Sequence, residues 1–577
     1  MKTIIPGFTA RSNEHSAAGA VASRGRNGAC ILALLLGACS PRPTFVPNDG
    51  GDPLDMGVNT DDRVQPRAEG GTDGGNPTDV PRVDPPFVPD PTTCAQAAES
   101  HSYVGCDFWP TVTPNVVGKY FDYAIVVSNA GDEPAGVVIT RGSTEVARAT
   151  IAPRALQKFF VPGVDALKQF TGLCDTDASS FAPMLDSRRV TDGAYHVTTT
   201  RPVTVFQFSP IEYGPRGGPE GRDWSACNTR CIFGCKSYSN DASLLLPSTS
   251  LTGNYRIMAP RGQNTMDVHQ PGYIAVTGLN DRTAVRFRLS ATAALTGANG
   301  IPSARAGETV DFRINRGEVV LLVGTNTSDL SGSQLYADQP VQVISGAPCL
   351  YMPEDRGACD HLEETIPPAE TLGARYFVTV PTNPRGRPIS HVVRLYGNHD
   401  ETNLEYPSGR PAGAPGSLQA GQVVDLGLVT GNFEIRGSYE FGITSFLPGG
   451  GVLDPGHLVD GLGDPAQTNA QPVEQYRKRY VFLSPDDYDV SYADVIAPVG
   501  ATITLDGMPV SAMPTSIGNN YNLLRVLLNN ATNGGAHQLE SDVPVGLQIV
   551  GYGFATSYSY PGGLNLLRVA PPPPIPG

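Results

Sequence analysis

A short phrase that alternates apolar and polar residues around a Pro-Val pair returns along this chain, and it dictates β structure wherever it occurs. It reads GAYHVTTTRPVTVFQF from Gly193, GSQLYADQPVQVISG from Gly332 and GAHQLESDVPVGLQIVGYG from Gly535. In each copy an apolar residue (Val197, Leu335, Leu539) stands five places before the proline (Pro202, Pro340, Pro544), and a valine follows (Val203, Val341, Val545). Beyond the pair, Val203 and Val205, Val341 and Val343, or Val545, Leu547 and Ile549 share one face of an extended strand, because side chains alternate with period two. Proline offers no N–H to a central ladder, so it fits the first residue of a strand or an edge. The polar residues before it, Arg201, Asp338 and Asp542, suit a turn. The phrase therefore predicts two strands joined at a turn, the second starting at the proline.

Other elements recur with it. A Pro-containing turn, a Gly, an aromatic and a β-rich strand appear in LLPSTSLTGNYRIMAP, in TIPPAETLGARYFVTVP and, more loosely, in FWPTVTPNVVGKYFDYAIVV and RYVFLSPDDYDVSYADVIAP. Each is followed by a hairpin-like segment marked by Gly131, Gly278, Gly397 or Gly500. The spacings between these markers, roughly 150, 120 and 100 residues, are those of sandwich units and far exceed the roughly 45 of a propeller blade. A chain of 577 residues is too long for one core, and 65 Gly and 52 Pro with 17% charged residues favour turn-rich strands over helices. The expected fold is all-β: tandem β-sandwich-like modules over 94–243, 244–365, 366–470 and 471–570, then a Pro-rich tail over 571–577. The third module departs from the pattern, with Gly437-Ser438-Tyr439-Glu440-Phe441 where the Pro-Val phrase is due.

Ahead of the modules, Arg24 and Arg26 precede the apolar run Ala29–Leu36, too short to span a bilayer. The run ends in Leu36-Gly37-Ala38-Cys39, which resembles the lipobox of bacterial lipoproteins. The resemblance implies a signal peptide over 1–38, with translation beginning as late as Val21, and lipidation of Cys39. Acyl chains hold a module at a membrane without a spanning helix. Ser40 after the cysteine, in place of Asp, implies an outer-membrane lipoprotein on the periplasmic or cell-surface face. Residues 39–93, rich in Pro, Gly and Asp, are expected to form a disordered tether.

Ten cysteines are present; Cys30 leaves with the signal and Cys39 takes lipid. The other eight, Cys94, Cys106, Cys174, Cys227, Cys231, Cys235, Cys349 and Cys359, are disulfide candidates in an exported chain. Cys94 with Cys106 and Cys349 with Cys359 make natural local pairs, and Cys174, Cys227, Cys231 and Cys235 supply two more. A metal site at Cys227, Cys231 and Cys235 is disfavoured by the spacing and by the lack of a nearby His.

Signs of chemistry are sparse. A net charge of −15 without a basic patch argues against nucleic acid. Gly397-Asn398-His399-Asp400-Glu401 resembles an element of binuclear metallophosphoesterases, yet the partner motifs that hold two metals are missing. Aligned with Gly278–Phe287 it reads as a hairpin turn. Asp486, Asp487 and Asp489 fit a solvated turn better than a Ca²⁺ site. No HExxH, G-x-S-x-G, Walker or dinucleotide fingerprint occurs. The expectation is no catalytic residue, no metal and no cofactor.

TTTRPVTVFQFSP, YADQPVQVISG, Cys359-Asp360-His361-Leu362-Glu363-Glu364 with Ile366-Pro367-Pro368, and Leu372-Gly373-Ala374-Arg375-Tyr376 together resemble the IgGFc-binding protein N-terminal domain family. The likeness is clearest from Tyr195 to Phe446 and extends over Cys106–Gly553. It implies β modules that bind a macromolecule and brings no catalytic residues. The reading is a lipid-anchored envelope protein acting in adhesion or binding, its partner a protein or glycan and its membrane contact the lipid. The alternatives are a glycan hydrolase using Asp and Glu in the loops, and a structural spacer.

Overall fold

Pro202 and Pro544 do not begin strands. The computed structural model describes residues 89–576 apart from 118–119, 170–185, 215–217, 226, 228–234, 266–267, 326–327, 458–460 and 530–531. In it Tyr195–Phe208 and Ala536–Gly553 are single strands of 14 and 18 residues that run through the proline. What changes at the proline is the partner. Before it, Val197 and Thr199 pair with Ile139 and Val137; after it, Val205 and Phe208 pair with Val127 and Ala124. In the last unit Leu539 pairs with Leu505, and Leu547 and Ile549 with Val495 and Ala493. The expected turn is thus a corner at which one strand leaves one face of its unit and enters the other. A residue between two ladders has no bond to donate, which is why proline is tolerated there.

The second unit alone matches the expected two-strand form, with Gln334–Ala337 and Val341–Tyr351 separated at Asp338–Pro340. The third keeps the corner without the proline: Phe433–Leu447 runs on through Gly437–Glu440, pairing Arg436 with Arg375 and Phe441 with both Gly373 and Gly397. Val203, Val341, Val545 and Phe441 are fully buried, so the corner residue seats the same face of the core in all four units.

A tyrosine ties three of these corners. It comes from the strand that opens each unit, and its hydroxyl donates to the carbonyl of the corner residue. Tyr255 donates to Val341 at 2.6 Å, Tyr376 to Phe441 at 2.5 Å, and Tyr480 to Val545. In the third and fourth units the same hydroxyl accepts the N–H of Gly373 (3.3 Å) or Arg477 (3.0 Å) across a register shift. Phe108 takes this place in the first unit, on the strand whose Gly105 pairs with Val203.

Two of the four recurrent glycines, Gly278 and Gly397, mark the other corner. Gly278 N–H donates to Glu318 O at 3.0 Å and its carbonyl accepts from Gly317 at 2.8 Å; Gly397 repeats both bonds with Gln422 and Gly421, each at 2.9 Å. A Cβ there would lie 2.3 Å from Asn315 O or 2.1 Å from Gln419 O, so backbone approach excludes a side chain. The strands flanking Gly397, His391–Gly397 and Thr402–Glu405, do not pair with each other. Both pair with Phe433–Leu447, on opposite sides of its corner. Gly397–Thr402 is therefore a crossing between faces, where a hairpin turn was expected.

The chain is all-β, built of tandem sandwich-like units. Continuous corner strands make the first, third and fourth units curled sheets of seven, seven and eight strands; in the second, the break leaves sheets of five and four. Each unit ends in a closing strand paired to its corner strand: Ala242–Leu245, Cys359–Thr365, Ala466–Asn469 and Thr556–Pro561. The closing strands touch in the order first, second, third, fourth and back to first, so the units form a ring. Residues ahead of the first unit help close it. Tyr103 donates to Val481 O at 3.3 Å and accepts from Val481 N at 2.8 Å, and Asp90 pairs with Arg477 and Arg479. One apolar cluster runs through the first and fourth units and reaches Tyr273, Leu321 and Ile344 of the second.

Candidate functional site

The four closing strands share one register. Leu244, Thr365, Asn469 and Pro561 lie opposite Phe206, Ile344, Thr444 and Gln548, each three residues past its corner residue. These four line a central cavity of about 30 Å³, room for one or two water molecules. At the other end of the strands the equivalent residues are Ser239, Asp360, Asp464 and Thr556, and hydrogen bonds knit the ring there. Ser239 Oγ accepts from His361 N (3.0 Å), Thr556 Oγ1 donates to Asp360 Oδ2 (3.0 Å), and Ser557 Oγ accepts from Asp464 N (2.9 Å). Asp241 Oδ2 accepts the backbone N–H of Glu363 (3.1 Å) and of Gln467 (2.9 Å), joining three units at one carboxyl.

This hub is rich in acids and poor in cations. Asp241, Asp360, Glu363, Glu364 and Asp464 are buried, and none is paired with Lys or Arg among the described residues. Burial pushes the carboxyls of Asp241, Asp360, Glu364 and Asp464 well above the usual carboxylate range, and Asp464 raises Asp360 further. The cause is the loss of hydration of the charged form. Glu363 accepts from Thr113 Oγ1 at 2.5 Å and from Gln207 Nε2 at 3.1 Å. Sealed in this way, the hub organises the ring; with exposures of 3% or less its carboxyls are beyond the reach of a macromolecule.

Of the residues named from the sequence, Asp360, Glu363 and Glu364 of the family-like run belong to the hub, while the candidate site residues lie elsewhere. Cys94–Cys106, Cys349–Cys359 and Cys227–Cys235 form disulfides. Cys174 and Cys231 lie outside the described residues, as do Cys39 and the residues expected to form the signal peptide and most of the tether. Asn398 and His399 both turn to Glu440, and Asn398 also accepts from Arg256, so the side chains of the metallophosphoesterase-like element are engaged within the protein. Asp486 and Asp487 are bridged by Lys158, and Asp489 accepts from Tyr213 at 2.7 Å. Asp487 is buried, contrary to the solvated turn expected there. Among the described residues no group of three His, Cys, Asp or Glu could hold a metal ion, and no helix is long and apolar enough to cross a membrane.

One exposed aromatic side chain stands at the divergent corner. Tyr439, 52% exposed, stands where the other units carry the residues around Pro-Val. Its ring lies 5.4 Å from that of His399, which is held by Glu440. Beside it run the exposed Asp400 and Glu401. An aromatic ring braced by a fixed pair and rimmed with acids suits recognition of a partner surface. The sequence signals for it are the break in the repeat at Gly437–Phe441 and the Gly397–Glu401 element, which reads as a hairpin turn.

The model of the family described as IgGFc binding protein matches residues 241–551, more than half of the chain. The human IgGFc-binding protein is 27% identical over 330 residues, which is 55% of this chain and 6% of the human one. The chain thus spans a small share of that relative's length. No solved structure matches the chain.

Proposed function

The chain belongs to the IgGFc binding protein family, and from that premise we propose that it is a lipid-anchored envelope protein that binds another protein through the outer surface of its ring. The observation that carries the reading is the third corner, where Glu440-Phe441 stands in place of the Pro-Val pair and an exposed aromatic ring, Tyr439, precedes it. Exposed Tyr beside fixed polar groups is the composition of binding hot spots, whereas the buried carboxyls of the hub belong to the fold. Anchoring rests on Leu36-Gly37-Ala38-Cys39, which supports lipidation and, with Ser40, outer-membrane placement.

The test uses the full chain immobilised against three probes: immunoglobulin Fc, purified envelope proteins and purified envelope polysaccharide. Saturable binding to a protein, weakened at least about tenfold by Tyr439→Ala, is expected. Binding to polysaccharide alone, or to none of the three, refutes the reading. Cys39→Ala is expected to abolish incorporation of labelled palmitate and to release the protein from membranes; retention of both refutes the anchor.

A further inference from the structure

Past its corner, each unit lays down strands in the same order: the corner strand, an inner strand, then an outer one. The outer strands are Leu156–Val161, Val319–Val323, Val423–Val429 and Tyr521–Leu527. Two of them are capped. In the second unit Arg188–Val190 lies antiparallel on Val319–Leu321, and Arg189 Nε meets Glu318 Oε1 at 2.9 Å. In the fourth, Thr515–Gly518 pairs with the start of Tyr521–Leu527. In the third, a register shift against His391–Gly397 and Gly427 at φ 63° distort the outer strand, a form that discourages a further partner. The first unit's outer strand is neither capped nor shifted among the described residues.

Its free side is well defined. Asn129 N–H donates to Ala155 O at 2.9 Å and the register runs on unbroken, so Val127 bonds with Gln157 and Ile125 with Phe159. Leu156, Lys158 and Phe160 therefore turn their N–H and C=O groups away from the sheet. Gln157 Nε2 donates to Lys158 O at 3.2 Å, and no other bond to these groups occurs among the described residues. Leu156 holds the place of Val319, since each lies opposite the inner-strand residue, Ser128 or Thr277, that pairs one past the corner. Lys158 likewise matches Leu321, so the free side is the stretch that Arg188–Val190 covers in the second unit. An open groove of about 560 Å³ is lined by Phe159 from the strand's buried face and by Leu156 and Phe160 from the opposite one. A groove that meets both faces runs along the edge. Glu220 and Asp486, both exposed, line it too. Lys158 is its one cation among the described residues and is already shared by Asp486 and Asp487, so the groove has room for a second positive charge.

We propose that this edge takes up an extended segment of another protein that carries arginine or lysine, added antiparallel as a further strand of the first unit. Main-chain bonds to Leu156, Lys158 and Phe160 hold the segment, its apolar side chains lie in the groove, and its cation meets Asp486 and Glu220, as Arg189 meets Glu318 in the second unit. The surface belongs to the first and fourth units, so the inference stands whatever Tyr439 of the third unit binds.

The probe is the peptide acetyl-Arg-Val-Arg-Val-Arg-Val-Arg-Val-amide, titrated calorimetrically into the full chain, with hydrogen exchange read residue by residue. In the free protein the amides of Gln157 and Phe159 should exchange slowly and those of Leu156, Lys158 and Phe160 fast; the peptide should bind saturably and slow the latter three at least about tenfold. The same peptide with glutamate for arginine should bind at least about tenfold more weakly. A version methylated at every backbone nitrogen, its charge intact, should not bind. Asp486→Asn should weaken the arginine peptide at least about threefold. Leu156→Pro, which removes an outward N–H and leaves the inner ladder whole, should abolish uptake. Slow exchange at Leu156, Lys158 and Phe160 in the free protein would mean that the chain covers its own edge, and overturns the proposal. So does a lack of saturable binding, or equal binding of the methylated peptide, which is an ionic contact only. Equal binding of the glutamate peptide overturns the choice of a basic partner.

Discussion

Raising the pH through neutrality should loosen the ring, and Asp464→Asn should prevent some of the loss. Asp464 and Asp360 face each other across the hub with no cation among the described residues beside them, and burial first of all holds both carboxyls well above the usual carboxylate range. In the unfolded chain each carboxyl ionises near 3.8. Above that pH the folded state holds protons the unfolded state has released, so stability falls with rising pH until the folded carboxyl itself ionises. The slope is about 1.4 kcal/mol per pH unit for each such carboxyl. His391, held down to about 3 by burial and by Arg525, opposes this trend mainly below its unfolded value of 6.5 and offsets only about 0.3 kcal/mol of it between pH 6.5 and 7.5. The acids therefore dominate the window from pH 6.5 to 7.5. Across it, urea unfolding should show the wild type losing about 1.4 kcal/mol or more, and Asp464→Asn losing about 1.4 kcal/mol less. The asparagine keeps the acceptor for Gly450 N–H, which lies 3.0 Å from Oδ1. The reasoning fails if the wild type is as stable at pH 7.5 as at 6.5, or if the variant has the same slope.

Tyr376→Phe should cost about 1–2 kcal/mol by leaving the Phe441 carbonyl and the Gly373 N–H without their shared hydroxyl, measurable by chemical denaturation. A loss below about 0.5 kcal/mol would mean that the corner does not need its tie, as Phe108 in the first unit hints. Asp90→Ala strands the buried Arg477 guanidinium at the ring seam and should cost about 3 kcal/mol, with protease cleavage appearing first around residues 89–104. Unchanged thermal stability would show that Tyr103 and the apolar cluster close the ring unaided.

The β class and the repeats could be read from local pattern, because alternation with period two and glycines at close backbone approaches are local facts. Proline was harder to interpret. A residue without an N–H is as compatible with the gap between two ladders as with the start of a strand, and nothing near Pro202 or Pro544 tells the two apart. The same ambiguity made Gly397–Thr402 look like a hairpin, since local sequence specifies a turn but not which strands its flanks will pair with. The hub was out of sight for another reason. Asp241, Asp360 and Asp464 sit in three different units, hundreds of residues from one another at the extremes, and only Asp360 stands in a run that the sequence singles out, there as a family likeness and not as part of a site. Lys158 and Asp487 likewise meet only because the ring returns upon itself. Tyr439 was visible as a departure from a rhythm, which is a sign of difference and not yet of use.

Because the closing strand of the last unit lies against that of the first, the number of units is not free to drift. An open array gains or loses a member by lengthening or shortening at one end, and every internal junction survives unchanged. Here a fifth copy would have to separate a pair of strands already in contact and reset the angle of every neighbour, while a missing copy would leave unlike edges facing a gap. Duplication, the step by which open arrays grow, is thereby barred from extending this one.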